Sequence, residues 1–241
     1  MTIAAIIQAR SGSTRLPGNV LRDLCGRPML ARVIQRVRSA QGVDVVCVAT
    51  TTLARDDAVA AVAATEGASV FRGSEADVLG RYVGAADELD ADVVVRITAD
   101  CPLIDPTVIA EMLTARSQSG LVDCYTNTLE RTYPRGLDTE IVLTETLDWI
   151  AKTADDRRAR EHVTWHLYQH PDEFRIVNHR QARDLSHLRW TVDVEADFTL
   201  VDRIYQALDG DASFVSSDVL AVLDDHPEWG RLNAAIVQQA V

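Results

Sequence analysis

The sequence predicts an α/β fold, a doubly wound, mostly parallel sheet carrying an α+β insertion. Three observations lead there. Short runs of apolar, mainly β-branched residues recur, and each gives way to a stretch of helical periodicity, the cadence of strand-helix-strand units. The runs are apolar at nearly every position, as in strands covered on both faces. Between residues 121 and 188 the cadence breaks. A chain of 241 residues, 47% of them hydrophobic, is long enough to build one large core. A single domain over 1–241 is therefore expected, with 121–188 as an insertion or lid.

Taken in order, Ile3-Ala4-Ala5-Ile6-Ile7 reads as a buried parallel strand that empties into a loop of small residues reaching Asn19. Leu21 to Gly26 is a connection, and Pro28 suits the first residue of a helix with Met29, Leu30, Val33, Ile34 and Val37 on one face. Val43 to Thr50 is the next strand, Asp56 to Glu66 an alanine-rich helix closed by Gly67, and Ala68 to Phe71 a third strand. The loop from Arg72 opens a helix, with Ser74 placed as N-cap and Asp77 at the third helical position. Asp92 to Thr98 is the most hydrophobic strand and is expected at the centre of the sheet. A helix from Pro106 to about Ser117 follows, capped by Asp105. In the insertion, Val122 to Asn127 and Asp138 to Leu143 are strand-like, and Glu145 to Ala154 and Arg157 to Gln169 helical. The sheet pattern resumes at Leu188 to Asp197, followed by a helix to Leu208. The tail from Ser216 to Gln239 reads as two short helices separated by His226-Pro227.

The loop after the first strand is built for a polyanion. Gly12 and Gly18 let backbone N–H groups turn inward, Ser11, Ser13 and Thr14 add hydroxyl donors, and Arg10 and Arg15 add fixed positive charge. It is neither a P-loop nor a dinucleotide fingerprint, because G-x-x-x-x-G-K-[ST] and G-x-G-x-x-G are both absent. An ordinary turn is the competing reading. Asp100 stands at the end of the central strand, where open α/β sheets bind ligands, with no helix start to stabilise. Asp193 also sits at a strand end, whereas Glu195 and Asp197 fall in a first helical turn that favours acids.

The formal charge of −12 argues against nucleic acid or an anionic membrane as partner, while a small anion needs only a local positive pocket. Of the basic residues all but Lys152 are arginine. Cys25, Cys47, Cys101 and Cys124 form no C-x-x-C pair and read as reduced thiols of a cytoplasmic protein. No secretory leader opens the chain, and no apolar run approaches the roughly 20 residues that span a bilayer. His162 and His166 are four apart, but the surrounding Glu-His-Val-Thr-Trp-His lacks the order of a zinc site.

Several ordered motifs also carry a family resemblance. The loop Gln8-Ala9-Arg10-Ser11-Gly12-Ser13-Thr14-Arg15-Leu16-Pro17-Gly18 resembles the nucleotide loop of cytidylyltransferases that activate ulosonic acids as CMP-sugars. Arg72-Gly73-Ser74 with Asp77-Val78-Leu79 and Arg81-Tyr82, then Arg96-Ile97-Thr98 with Asp100-Cys101-Pro102-Leu103-Ile104-Asp105, look like the branch of spore-coat polysaccharide biosynthesis cytidylyltransferases. Pro134-Arg135-Gly136-Leu137-Asp138, Arg160-Glu161-His162-Val163-Thr164, His170-Pro171 and Leu188-Arg189-Trp190-Thr191-Val192-Asp193 extend the likeness from residue 3 to about 208.

The resemblance implies a Rossmann-like nucleotidyltransferase fold, CTP as donor, Mg²⁺, and a homodimer built through the insertion. It implies that Gln8, Ala9, Arg10, Ser11, Gly12 and Ser13, with Asn19, Arg72, Asp77 and Thr98, face the nucleotide. Arg15 would meet the phosphates, Asp100 and Asp193 would hold the metal, and Arg135, Asp138, Glu140, Arg160 and His162 would face the acceptor. Two positions depart from the family pattern, Asn19 in place of a lysine and Ala99 in place of a glycine. Losing a phosphate-facing cation typically costs roughly 3 kcal/mol of transition-state stabilisation. That leaves a nucleotide-binding protein without turnover as one alternative. A glycosyltransferase of the GT-A type is another, with Asp193-Val194-Glu195 its nearest approach to an Asp-x-Asp pair.

Overall fold

The computed structural model describes residues 1–154 and 156–237. Its centre is a seven-stranded sheet in the order β3-β2-β1-β4-β6-β5-β7, where β1 is Ile3–Gln8, β2 Val45–Thr51, β3 Ser69–Gly73, β4 Val93–Thr98, β5 Cys124–Thr126, β6 Glu140–Leu143 and β7 Ile176–Asn178. β1 pairs in parallel with β2 on one side and with β4 on the other. Only β6 runs against its neighbours. The chain steps outward from β1 to β2 and β3, then returns across β1 to β4. Gln8 and Thr98 are therefore register partners at the ends of two strands whose connections diverge, and a crevice opens beyond them.

Alternation along each strand sorts side chains to the two faces. Ala5 and Ile7 of β1 pack toward α1 (Met29–Arg38), α4 (Pro106–Gln118) and α8 (Glu195–Ala207), while Ala4 and Ile6 pack toward α3 (Val78–Glu88), α5 (Thr144–Thr153) and α7 (Trp165–Gln169). Both faces are sealed, and all four of these side chains are fully buried. Burying an isoleucine in this way stabilises the fold by roughly 1.5–3 kcal/mol, so the apolar runs follow directly from a sheet with no wet side. The remaining helices are α2 (Asp57–Thr65), α6 (Arg157–Glu161) and α9 (Ser216–Asp225). Among the described residues no helix is long and apolar enough to cross a membrane.

The structure corrects several boundaries. Ser74 does not cap α3; Asp77 is itself the N-cap, and its carboxylate accepts from the Gly80 N–H at 2.8 Å. Pro28 precedes α1 rather than opening it, and β2 starts at Val45 rather than Val43. The helix expected over Arg157–Gln169 is broken at His162–Thr164, because Val163 is drawn into the core and the Thr164 hydroxyl donates to Glu140 at 2.8 Å. Residues 188–197 form no strand. Trp190 and Val192 are buried as an apolar pattern demands, but their N–H groups bond to Arg135 and Asp100, in loops, not to a neighbouring strand. β7 was not expected, since three half-buried residues carry too little pattern. After α9 the tail makes a single 3₁₀ turn, Trp229–Arg231; the expected end of the second helix, at 238–239, lies outside the described residues. Segment 121–188 supplies β5, β6 and β7, and its strands extend the main sheet beyond β4.

Candidate active site

The loop after β1 folds back on itself. Gly18 adopts a left-handed conformation (φ +68°) that side-chain-bearing residues rarely take, and its N–H donates to the Ser11 carbonyl at 3.0 Å. Ser11 is anchored from outside: its N–H and its hydroxyl both donate to one carboxylate oxygen of Asp56, at 2.7 and 2.6 Å. Asp56 is fully buried and accepts from Thr51 as well. Burial pushes its carboxyl upward, but the bonds from Ser11 and Thr51 outweigh it and hold the group below the usual carboxylate range. Gln8, Ala9, Arg10, Ser13, Thr14 and Arg15 consequently face a cavity of about 330 Å³.

A second cavity, of about 430 Å³, lies between this loop and the insertion. Arg131, Arg135, Asp138 and Glu140 line it from the loop before β6 and from β6 itself. Gly136 permits the close packing there, with φ +114° and a position where a Cβ would lie 2.6 Å from the Trp190 backbone. Arg131 is paired with Asp138 at 2.5 Å and 2.9 Å, and Glu140 with Arg96. Arg135 has no ion-pair partner among the described residues. Burial, then the neighbouring Arg131, pushes its guanidinium pKa down.

The two cavities share one wall, made of Arg15, Thr98, Asp100, His162 and Asp193. Asp100 and Asp193 meet because the Val192 N–H donates to the Asp100 carbonyl at 2.8 Å, with the Thr191 hydroxyl on the same oxygen at 3.2 Å. The Asp100 carboxyl is raised above its ordinary range, first by enclosure and then by the charge of Asp193, against opposing bonds from Thr98 and Cys101. No arginine or lysine pairs with Asp100 among the described residues. Asp193 is held by Arg15 at 2.5 Å and Arg189 at 2.7 Å. Burial holds the His162 imidazole below the ordinary histidine range, so it is neutral at neutral pH.

A loop of backbone and hydroxyl donors thus opens onto two acids, Asp100 after the central strand β4 and Asp193 before α8. The profile of the cytidylyltransferase family matches residues 4–207. The chain belongs to the cytidylyltransferase family. Spore coat polysaccharide biosynthesis protein SpsF of Bacillus subtilis is 32% identical to it, over 94% of this chain and 95% of its own. A cytidylyltransferase structure from Leptospira borgpetersenii serovar Hardjo-bovis superposes with a TM-score of 0.92 at 29% identity, covering 100% of both chains. CMP:2-keto-3-deoxy-manno-octonic acid synthetase complexed with CTP shares the fold, with a TM-score of 0.66 at 18% identity over 86% of this chain and all of that one.

Within this cytidylyltransferase the residues singled out from sequence are divided between the cavities. Gln8, Ala9, Arg10, Ser13 and Asn19 line the loop-side cavity alone, Arg135, Asp138 and Glu140 line the other alone, and Arg15, Thr98, Asp100, His162 and Asp193 line both, whereas Asp77 lines neither and caps α3. Asn19 is also a structural tie. It is 5% exposed, donates to the Val192 carbonyl at 3.0 Å and accepts from Val20, so it joins the loop to the segment carrying Asp193. Ser11 and Gly12 lie behind the loop, Gly12 against Arg55 and Glu75. Arg72 points away, to the Thr51 and Leu53 carbonyls and to Asp57. Arg160 lines neither cavity and ties α6 to the Ala151 carbonyl and Asp77. Asp56 escaped the sequence reading, where it passed for a helix start; it stands before α2 but makes no cap bond, its carboxylate being taken up by Ser11 and Thr51 instead. Arg81 was also missed as a site residue. It lines the loop-side cavity, 2% exposed, with its Nε unpartnered.

Proposed function

We propose that this enzyme transfers the cytidylyl group of CTP to a hydroxyl of a small anionic acceptor, an ulosonic-type sugar acid or a phosphonate, with release of pyrophosphate. One observation carries the proposal. A cavity walled by donors suited to phosphates and a cavity holding an unpaired arginine meet at Asp100, Asp193 and His162. In-line displacement needs donor and acceptor on either side of one reacting phosphorus.

In this reading the loop from Gln8 to Arg15 takes the nucleotide, Arg15 meets its phosphates, and Arg135 meets the acceptor's anionic group, whose planar oxygens suit a guanidinium fork. The acceptor oxygen forms a bond to the α-phosphorus, and the bond from that phosphorus to the oxygen bridging the β-phosphate breaks, its electron pair leaving with pyrophosphate. His162, a neutral imidazole on the shared wall, takes the hydroxyl proton. Backbone and arginine donors stabilise the charge that gathers on the leaving group.

Asp100 and Asp193 suit a divalent cation such as Mg²⁺. The two acids line one wall, Asp100 with no arginine or lysine paired to it among the described residues and Asp193 held by Arg15 and Arg189; two carboxylates suit an ion that takes one or two acids and completes its shell with substrate phosphates and water. When bound, that ion neutralises phosphate charge. The homodimer is proposed to form through segment 121–188, where Trp149 is 45% exposed. The test is pyrophosphate release from CTP, UTP, GTP and ATP against a panel of ulosonic acids and phosphonates. CTP alone is expected to support release, abolished by EDTA; no release with any acceptor contradicts the proposal.

A further inference from the structure

The matched family segment ends at residue 207, yet a side chain well beyond it joins the hydrogen-bond network behind Asp193. Asn233 is 4% exposed. Its amide nitrogen donates to the Arg189 carbonyl at 2.9 Å and to the Asp197 carboxylate at 2.8 Å. Asp197, fully buried, accepts two bonds from the Arg189 guanidinium, both at 2.9 Å, and the N–H groups of Asp193 and Val194 at 3.0 and 3.2 Å. Arg189 in turn donates to the Asp193 carboxylate at 2.7 Å. Both the backbone and the side chain of Asp193 are therefore set by Asp197 and Arg189, and Asn233 braces that pair from the far side.

We infer that Asn233 is a positioning residue for Asp193, acting through Asp197 and Arg189. The inference rests on the proposed cation role of Asp193. A buried amide here is costly unless its donors are used, and both acceptors belong to the network behind Asp193. Outer partners of a cation ligand fix its orientation, and their loss typically costs about 10- to 100-fold in metal affinity. Removing Asn233 leaves the Asp197 oxygen and the Arg189 carbonyl short of a donor and frees the network to shift.

The experiment is a titration of the full-length protein with Mn²⁺ in the presence of CTP, without acceptor, following free Mn²⁺ by electron paramagnetic resonance. Asn233→Asp, which is isosteric but replaces the donor by a negative oxygen, and Asn233→Ala are expected to weaken Mn²⁺ binding by about tenfold or more. Asn233→Ser, which keeps one donor, is expected to recover part of the loss. Leu232→Ala loosens the same tail, where Leu232 packs on the core, without touching the network, and is expected to bind Mn²⁺ as wild type does. Wild-type affinity in folded Asn233→Asp and Asn233→Ala, or an equal loss in Leu232→Ala, overturns the inference while leaving the cation site standing. Mn²⁺ uptake that is absent from wild type, or unchanged in Asp193→Asn, overturns the proposed role of Asp193 and the inference with it.

Discussion

Arg15 and Asp193 are 178 positions apart in sequence, and the guanidinium of one lies 2.5 Å from the carboxylate of the other. Both residues line both cavities, so the contact places Arg15, the proposed phosphate ligand, next to a carboxylate proposed to face the same phosphates. In that reading incoming phosphates compete with Asp193 for Arg15. Replacing Arg15 by alanine is expected to weaken CTP binding by about 1.5–3 kcal/mol, the range for bonds to charged groups, or one to two powers of ten in Kd. Calorimetric titration with CTP checks it, and an unchanged Kd removes Arg15 from the nucleotide site.

Asp100 is expected to trade stability for function. Its carboxyl is raised in the folded state by enclosure and by Asp193. A group raised in this way contributes its stability below the unfolded value, and that contribution is lost as pH rises through the folded value. Once ionised, the carboxylate therefore opposes folding. Asp100→Asn keeps an acceptor for Thr98 and removes the charge, so its Tm should exceed that of wild type at pH 7 and the difference should shrink as the pH falls. CTP with Mg²⁺ should stabilise wild type and not the variant. Thermal melts across pH test both statements.

The wall of the cavity beside the insertion depends on one ion pair. Glu140 is bound to Arg96, Thr164 and Tyr168, and the two charged side chains are 4% and 18% exposed. Glu140→Ala strands Arg96 without its counter-charge, which typically costs about 3–5 kcal/mol. Urea unfolding should show it as a lower midpoint at unchanged slope.

Much of this arrangement was legible in the sequence, and the reasons differ from residue to residue. β1 and β4 were readable because strands buried on both faces are apolar at nearly every position, the exception Arg96 being paired with Glu140, and Asp100 because an acid following such a strand has no local use. Asp193 was marked by the same logic even though residues 188–197 are not a strand: its neighbours Trp190 and Val192 carry the burial pattern, while the partners of their N–H groups are set by tertiary contacts alone. Arg135 and Arg160 look alike in sequence. Only the path of the chain sends one into the cavity and the other to Ala151 and Asp77. Ser74 and Asp77 are equally good caps, and the choice is made by which carboxylate or hydroxyl meets the Gly80 N–H. Asn233 was invisible, since its partners lie 36 and 44 positions away.

The proposed base His162 predicts a pH dependence for the reaction. Burial holds its imidazole below the ordinary value, so the neutral form that accepts a proton prevails at pH 7. Turnover should fall only as pH drops through that lowered value, below about 6.5. His162→Gln should remove the acid limb and lower kcat by about a hundredfold. A limb that persists in the variant assigns the base elsewhere.

The central claim is that Asp100 and Asp193 together hold a cation between the two cavities. Anomalous diffraction from crystals grown with CTP and Mn²⁺ tests it most directly. A manganese peak bound by oxygens of both carboxylates, with the nucleotide phosphates on the Arg15 side, is expected. Bound CTP with the peak on other residues, or with the two carboxylates turned away from it, contradicts the account.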